Sequence, residues 1–233
     1  MMRVFAGIVA LWSASAMSAD TAPALSDAER AIYERAIAEY DANFYATSSK
    51  TAAARAKDLH NDPMAPVLGN PDGDVTIVEF FDYQCPFCKA VDPRLKQLLK
   101  DDGRIKFVSK EFPVLTPESI VATRAALASV KQGKYGPYHS AMLAHKGRLT
   151  EADIFNYATQ VGLDVAKLKA DMEDPAITKH IFDNMNLARS LRIAAVPGFI
   201  VNGKVLSGVL SKTETSKIDF PAEVAAARAK AGS

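Results

Sequence analysis

Ile77-Val-Glu-Phe-Phe-Asp-Tyr-Gln-Cys85-Pro-Phe-Cys88 ends in the two cysteines of this 233-residue chain, which has no others. Val75 to Phe81 is dense in β-branched and aromatic residues and reads as a buried strand. From Lys89 to Lys100 the period changes, and Val91, Leu95, Leu98 and Leu99 fall on one stripe of a helix. Cys85 therefore lies in the turn between strand and helix, with Cys88 in the first helical turn. Free amide N–H groups and the positive end of the helix dipole favour a negative charge there. Such a setting lowers a cysteine pKa from ~8.5 to ~3.5–7.5, and the thiolate is the reactive form.

Strand, Cys-x-x-Cys and helix in that order resemble the redox site of the thioredoxin fold. The longer string Glu79-Phe-Phe-Asp-Tyr-Gln-Cys-Pro-Phe-Cys resembles the DsbA-like branch of that superfamily. The helical stretch ahead of it is similar to that of the oligomeric DsbA-like proteins linked to copper tolerance. The resemblance runs from about Gly69 to about Gly208. It implies an α/β chain: a thioredoxin fold with a helical insertion and an N-terminal helical extension. It also implies an exported thiol:disulfide oxidoreductase working on protein thiols or disulfides, without cofactor or metal. A membrane redox partner would recycle the cysteine pair.

The resemblance assigns roles residue by residue. Cys85 and Cys88 match the catalytic pair. Glu79, six residues before Cys85, matches the buried acid that helps move protons beside the cysteines. Val196-Pro197 matches the cis-proline loop, which together with Pro86 and Phe87 is expected to bind substrate. Strongly oxidising DsbA has a histidine before its second cysteine. Phe87 stands there in this chain, so a less stabilised thiolate and a milder oxidant are expected.

Other readings of the cysteine pair compete. Cys-x-x-Cys is half of a zinc site, and His60, His139, His145 and His180 are the remaining candidate ligands. A purely structural disulfide closing so short a loop gains little entropy and is strained. Three functions follow: a dithiol oxidase, an oligomeric disulfide isomerase or reductase with the same residues, and a copper- or zinc-binding chaperone.

Outward from the cysteines, Met1–Ala19 reads as a signal peptide. Arg3 forms the positive region, Val4 to Trp12 the apolar core, and cleavage follows Ala16 or Ala19. The apolar core is short of the ~20 residues a membrane span needs, and an exported, periplasmic protein is expected. Basic and acidic residues number 28 and 27, so losing Arg3 brings the mature charge to zero and nothing points to nucleic acid.

Residues 20–68 form the helical extension. Ser26-Asp-Ala-Glu29 reads as a capping box opening a helix to about Tyr45. Tyr33, Ile37, Tyr40 and Phe44 recur at a coiled-coil spacing, which makes residues 26–59 a candidate homo-oligomer contact. Thr47-Ser-Ser-Lys50 is expected to interrupt this helix before a second one, Thr51 to Leu59. Asn61 to Gly73, rich in turn formers, leads into a catalytic domain over 69–233.

Within that domain Arg104 to Phe112 reads as a strand parallel to the first, and Pro93 as a kink in the helix between them. Residues 117–193 read as a helical insertion, in which Tyr138 and His139 are expected in structural roles. Phe199–Val201 and Lys204–Leu206 flank Asn202-Gly203, the dipeptide most suited to a tight hairpin. A last helix is expected over Ala222–Lys230, its packing in question because Lys212 to Lys217 delays it.

Overall fold

A computed structural model describes residues 26–208 and 218–232. The signal-like segment and the Lys212–Lys217 stretch lie outside these residues. The chain divides into two units, Met1–Ala42 and Asn43–Ser233.

Helix α1 spans Asp27–Ala54 without a break, which corrects the interruption expected at Thr47–Lys50. The hydroxyls there are accommodated inside the helix: Thr47 Oγ1 donates to the Asn43 carbonyl and Thr51 Oγ1 to that of Thr47, the i−4 bonds open to a mid-helix threonine. The break falls at Arg55, outside helical geometry, and α2 (Ala56–His60) follows. The side chains of Tyr33, Ile37 and Tyr40 lie outside the described residues. Phe44, the fourth member of that stripe, lies under the Arg192 guanidinium at 5.7 Å.

The lead-in 61–73 contains strand β1 (Val67–Gly69), which the sequence did not reveal beneath its turn formers. It pairs antiparallel with β3 (Ile105–Glu111). β3 runs parallel to β2 (Val75–Phe81), as the strand–helix–strand order requires. β4 (Gly198–Val201) and β5 (Lys204–Gly208) complete the sheet in the order β1-β3-β2-β4-β5. Their hairpin turns on Asn202 and Gly203, both at positive φ.

The sheet is covered on both faces, so β2 is buried along its whole length. On one face Ile77, Phe107, Phe199 and Val201 meet Val91 and Leu95 of α3 (Pro86–Asp101) and Phe220 and Val224 of the final helix. α3 continues through Pro93. On the other, Val78, Phe80, Val108 and Ile200 meet Ala52, Leu59 and the helical insertion. That insertion comprises α4 (Pro117–Ser129), α5 (Tyr135–Leu143), α6 (Glu151–Gln160), α7 (Val165–Asp171) and α8 (Pro175–Ser190).

The final helix, α9 (Phe220–Ala231), packs in spite of the delay before it. Phe220 meets Phe199 edge to face at 4.9 Å, and Arg228 bonds both Asp74 and Asp102. Each fully buried aromatic of this kind stabilises the fold by ~1.5–3 kcal/mol.

Candidate active site

β2 delivers its chain end to α3 through Asp82-Tyr83-Gln84, and Cys85 becomes the N-cap of α3. Its backbone is extended and Pro86 occupies the first helical position, where a missing N–H costs nothing. Cys85 Sγ accepts the Cys88 amide N–H at 3.4 Å, and its own S–H points at the Val196 carbonyl, also at 3.4 Å. Both thiols are free and both are buried, Cys85 2% and Cys88 0% exposed. Cys85 is thus more covered than its place in a turn suggests.

The two thiols are driven apart electrically. Hydrogen bonding from Cys88, chiefly its thiol, and from the amides of Cys88 and Phe87 brings Cys85 down from 9.0 to about 7, against burial and the charge of Asp82. Burial, the bond to Cys85 and the charge of Glu79 push Cys88 well above its ordinary value. One sulfur is poised to ionise near neutrality while the other holds its proton.

Glu79 is buried at 2% exposure on the α3 side of β2. Burial first, then the negative charges of Asp92, Cys85 and Glu111, raise its carboxyl well above the usual range. Asp92, also buried and raised by burial, is ion-paired to Lys96 at 2.6 Å. The sequence carried a signal for Asp92: it stands four residues after Cys88, on the inward stripe of α3.

Val196-Pro197 is a cis peptide, and both residues are buried. Pro86 is exposed and Phe87 half-buried at the rim. The structure therefore gathers Cys85, Cys88, Val196, Pro197, Pro86 and Phe87 around one sulfur, with Glu79 beneath.

Further residues shape the turn and escaped the sequence reading. Buried Asp82 accepts the Gln84 amide and the amides of Val114 and Leu115 at 2.8–3.0 Å. The Gln84 side chain makes a double bond pattern with the Leu149 backbone, donating at 2.6 Å and accepting at 2.9 Å. Behind them Glu111 accepts from Tyr83, Tyr135 and Thr123 at 3.0–3.1 Å. Burial raises it to about 8 in spite of these bonds. His139 stacks on Tyr135 and bonds Tyr83 at 2.9 Å, its pKa brought to about 3 by burial. Residues scattered over three elements meet here, a juxtaposition no local spacing displays.

Three of the four histidines weighed as zinc ligands are engaged elsewhere, and the fourth, His60 at the end of α2, has a buried Nε2 without a hydrogen-bond partner. His139 belongs to the cluster just described, His145 bonds Tyr157, and His180 lies by Asn184 and Asp62. Among the described residues no group of three or more His, Cys, Asp or Glu side chains is arranged to hold a metal. Among them, too, no helix is long and apolar enough to cross a membrane.

A family model described as thioredoxin matches residues 61–218. A thioredoxin-like oxidoreductase from Silicibacter pomeroyi DSS-3 is 40% identical, over 74% of this chain and 97% of that one, at a TM-score of 0.68. The thiol-disulfide exchange protein alpha-DsbA2 from Wolbachia pipientis is 28% identical, over 73% of this chain and 92% of that one, at 0.65. Among curated proteins, the Na(+)/H(+) antiporter NhaA 1 of Salinispora arenicola is 32% identical over 140 residues. That alignment takes in 59% of this chain but only 22% of the antiporter, so the chain matches a fraction of the curated relative's length. With a Cys-capped helix beside a cis-proline loop, and a family match across most of the chain, the protein belongs to the thioredoxin superfamily as a DsbA-like member.

Proposed function

We propose that the protein is an exported thiol:disulfide oxidoreductase, acting as a dithiol oxidase on periplasmic or secreted proteins through Cys85 and Cys88. The observation that carries this reading is Cys85 Sγ at the N-cap of α3, accepting the Cys88 amide and set 3.4 Å from the Val196 carbonyl of the cis-proline loop. In keeping with it, hydrogen bonding lowers the pKa of the Cys85 thiol while burial raises that of Cys88. In the oxidising direction a substrate thiolate attacks Cys85 Sγ of the disulfide, and Cys88 leaves as the thiolate. A second substrate thiolate then attacks the substrate sulfur of the mixed disulfide and expels Cys85 as a thiolate. Two electrons pass from substrate to the pair, which ends reduced. A low leaving-group pKa at Cys85 speeds that second step.

Glu79 serves as the proton acceptor and donor for Cys88, the role its burial beside that thiol suits. The backbone of Val196, its carbonyl already against Cys85 Sγ, bonds an extended substrate segment. Pro86 and Phe87 supply the apolar rim. A membrane redox partner reoxidises the pair, and α1 is a candidate contact between copies of the chain.

Oxidative refolding of a reduced, unfolded ribonuclease tests this directly. The wild type should introduce disulfides stoichiometrically and the Cys85→Ser variant none. Faster recovery of a scrambled substrate than of a reduced one would replace the oxidase reading with the isomerase one.

A further inference from the structure

Lys89 is the first residue after the second cysteine. Its backbone N–H donates to the Cys85 carbonyl at 3.1 Å, which sets it one helical turn beyond Cys85 and on the same face of α3. A lysine in such a place normally extends into water. This one is half-buried, and its Nζ donates to the Gly147 carbonyl at 2.8 Å, in the loop between α5 and α6. That loop is itself fixed, two residues on, by the paired hydrogen bonds of Gln84 to Leu149, which is fully buried. Gly147 has φ +85, a conformation that side-chain-bearing residues rarely adopt. The helical insertion thus reaches back to the cysteine turn at two points, and one of them holds an ammonium group.

We propose that Lys89 is the cation that keeps Cys85 ionised, and that the Gly147–Leu149 loop of the insertion positions it; this deepens, and rests on, the thiol-exchange reading above. The cation answers a specific need. Asp82, buried beside Cys85, opposes ionisation of the thiol, and Phe87 offers no charge at the position next to Cys88. The charges of Asp82, Cys85 and Cys88 in turn favour the charged form of Lys89, against its burial. Coupling between two charges is reciprocal, so Lys89 favours the Cys85 thiolate to the same extent.

The remaining charged groups around the sulfur do not take this role. Glu79 faces it from β2 and repels it. From the loop, Arg148 is paired with Glu118 at 2.6 Å and His145 bonds Tyr157, while Lys146 is exposed. From the segment before the cis-proline, Arg192 lies over Phe44.

The test is pulsed alkylation of the reduced mature chain between pH 5 and 10, read as modification of the Cys85 peptide by mass spectrometry. Lys89→Met should move the titration midpoint up. The rate at pH 6 then falls about two- to five-fold, the range for loss of one partly exposed charge, while the plateau at high pH is unchanged. Lys89→Arg should restore the midpoint. Gly147→Ala, which shifts the anchoring carbonyl and leaves Lys89 in place, should move it the same way as Lys89→Met. The proposal is overturned if Lys89→Met superimposes on the wild type, if it slows the reaction equally at every pH, or if Gly147→Ala leaves the midpoint unmoved. Insulin reduction by wild type and Cys85→Ser, run alongside, separates the two levels. Turnover that survives loss of Cys85 removes the exchange reading, whereas an unmoved midpoint removes only the part given to Lys89.

Discussion

Cys85 Sγ and the carbonyl oxygen of Val196 lie 3.4 Å apart although 111 residues separate them in the chain. The contact joins the N-terminus of α3 to the loop entering β4, and it places a reactive sulfur against a backbone acceptor. An incoming segment that pairs with this loop therefore brings its own sulfur alongside Cys85.

Replacing Cys88 by alanine removes the thiol hydrogen bond that does most to lower Cys85. The Cys85 pKa should rise by about one unit toward the ordinary thiol value. Without a resolving thiol the variant should also accumulate mixed disulfides, visible on a non-reducing gel. Clean turnover by this variant would contradict the division of labour between the sulfurs.

Ionisation of Cys85 also couples to folding. Its native pKa of about 7 lies below the ordinary 9.0, so ionisation favours the native state. The contribution is complete above about pH 9 and is lost as pH falls through 7. The reduced wild type should gain stability relative to Cys85→Ser between pH 6 and 9, as measured by urea midpoints.

Glu79→Gln removes the proton acceptor next to Cys88. Resolution of a preformed mixed disulfide by Cys88 should slow by about 100-fold near neutrality, the lower end of general-base effects. The variant's rate should rise more steeply with pH than that of the wild type, because hydroxide replaces the carboxylate. Stopped-flow fluorescence across pH 6–9 measures both.

Glu111 carries the opposite linkage to Cys85. Its native pKa of about 8 lies above the ordinary carboxyl value of 4.5, so the native state is favoured below 4.5 and loses that advantage as pH rises to 8. Glu111→Gln should flatten the pH dependence of stability in this window. Glu111→Leu leaves the hydroxyls of Tyr83, Tyr135 and Thr123 without their acceptor and should cost on the order of 3 kcal/mol or more. Thermal melts at pH 5 and pH 8 distinguish the two.

Phe220→Ala tests the closing helix. It opens a cavity against Phe199, with Phe220 only 1% exposed, and should cost about 3–5 kcal/mol. The Cys85 titration should not move, since Glu223 and Arg228 of α9 bond Lys204, Asp74 and Asp102, away from the cysteine turn.

The catalytic core was legible because its signals are local. β2 announced itself by composition, α3 by its stripe, and the hairpin by Asn202-Gly203. The cysteines followed from spacing along one short segment, and Glu79 from its match to the buried acid of DsbA-like proteins. What stayed hidden depends on tertiary meeting. β1 is three residues long, too short for a periodic pattern, and is made a strand by the free edge of β3. The α1 helix outran its expected end, and the threonine hydroxyls that read as a break turn onto carbonyls one turn back. Asp82, Gln84, Lys89 and Glu111 read as ordinary polar residues until the insertion folds over the turn.

One amide at the outer margin of the sheet has a further consequence. Among the described residues β5 ends the strand order, and a sheet edge is where a foreign extended chain can zip on. The Val205 N–H is already taken by Ser49 Oγ from α1, at 3.1 Å. A protein whose proposed clients arrive unfolded risks co-aggregating with them. Here the first helix withholds one amide of that seam, in keeping with the proposal that clients pair with the loop at Val196.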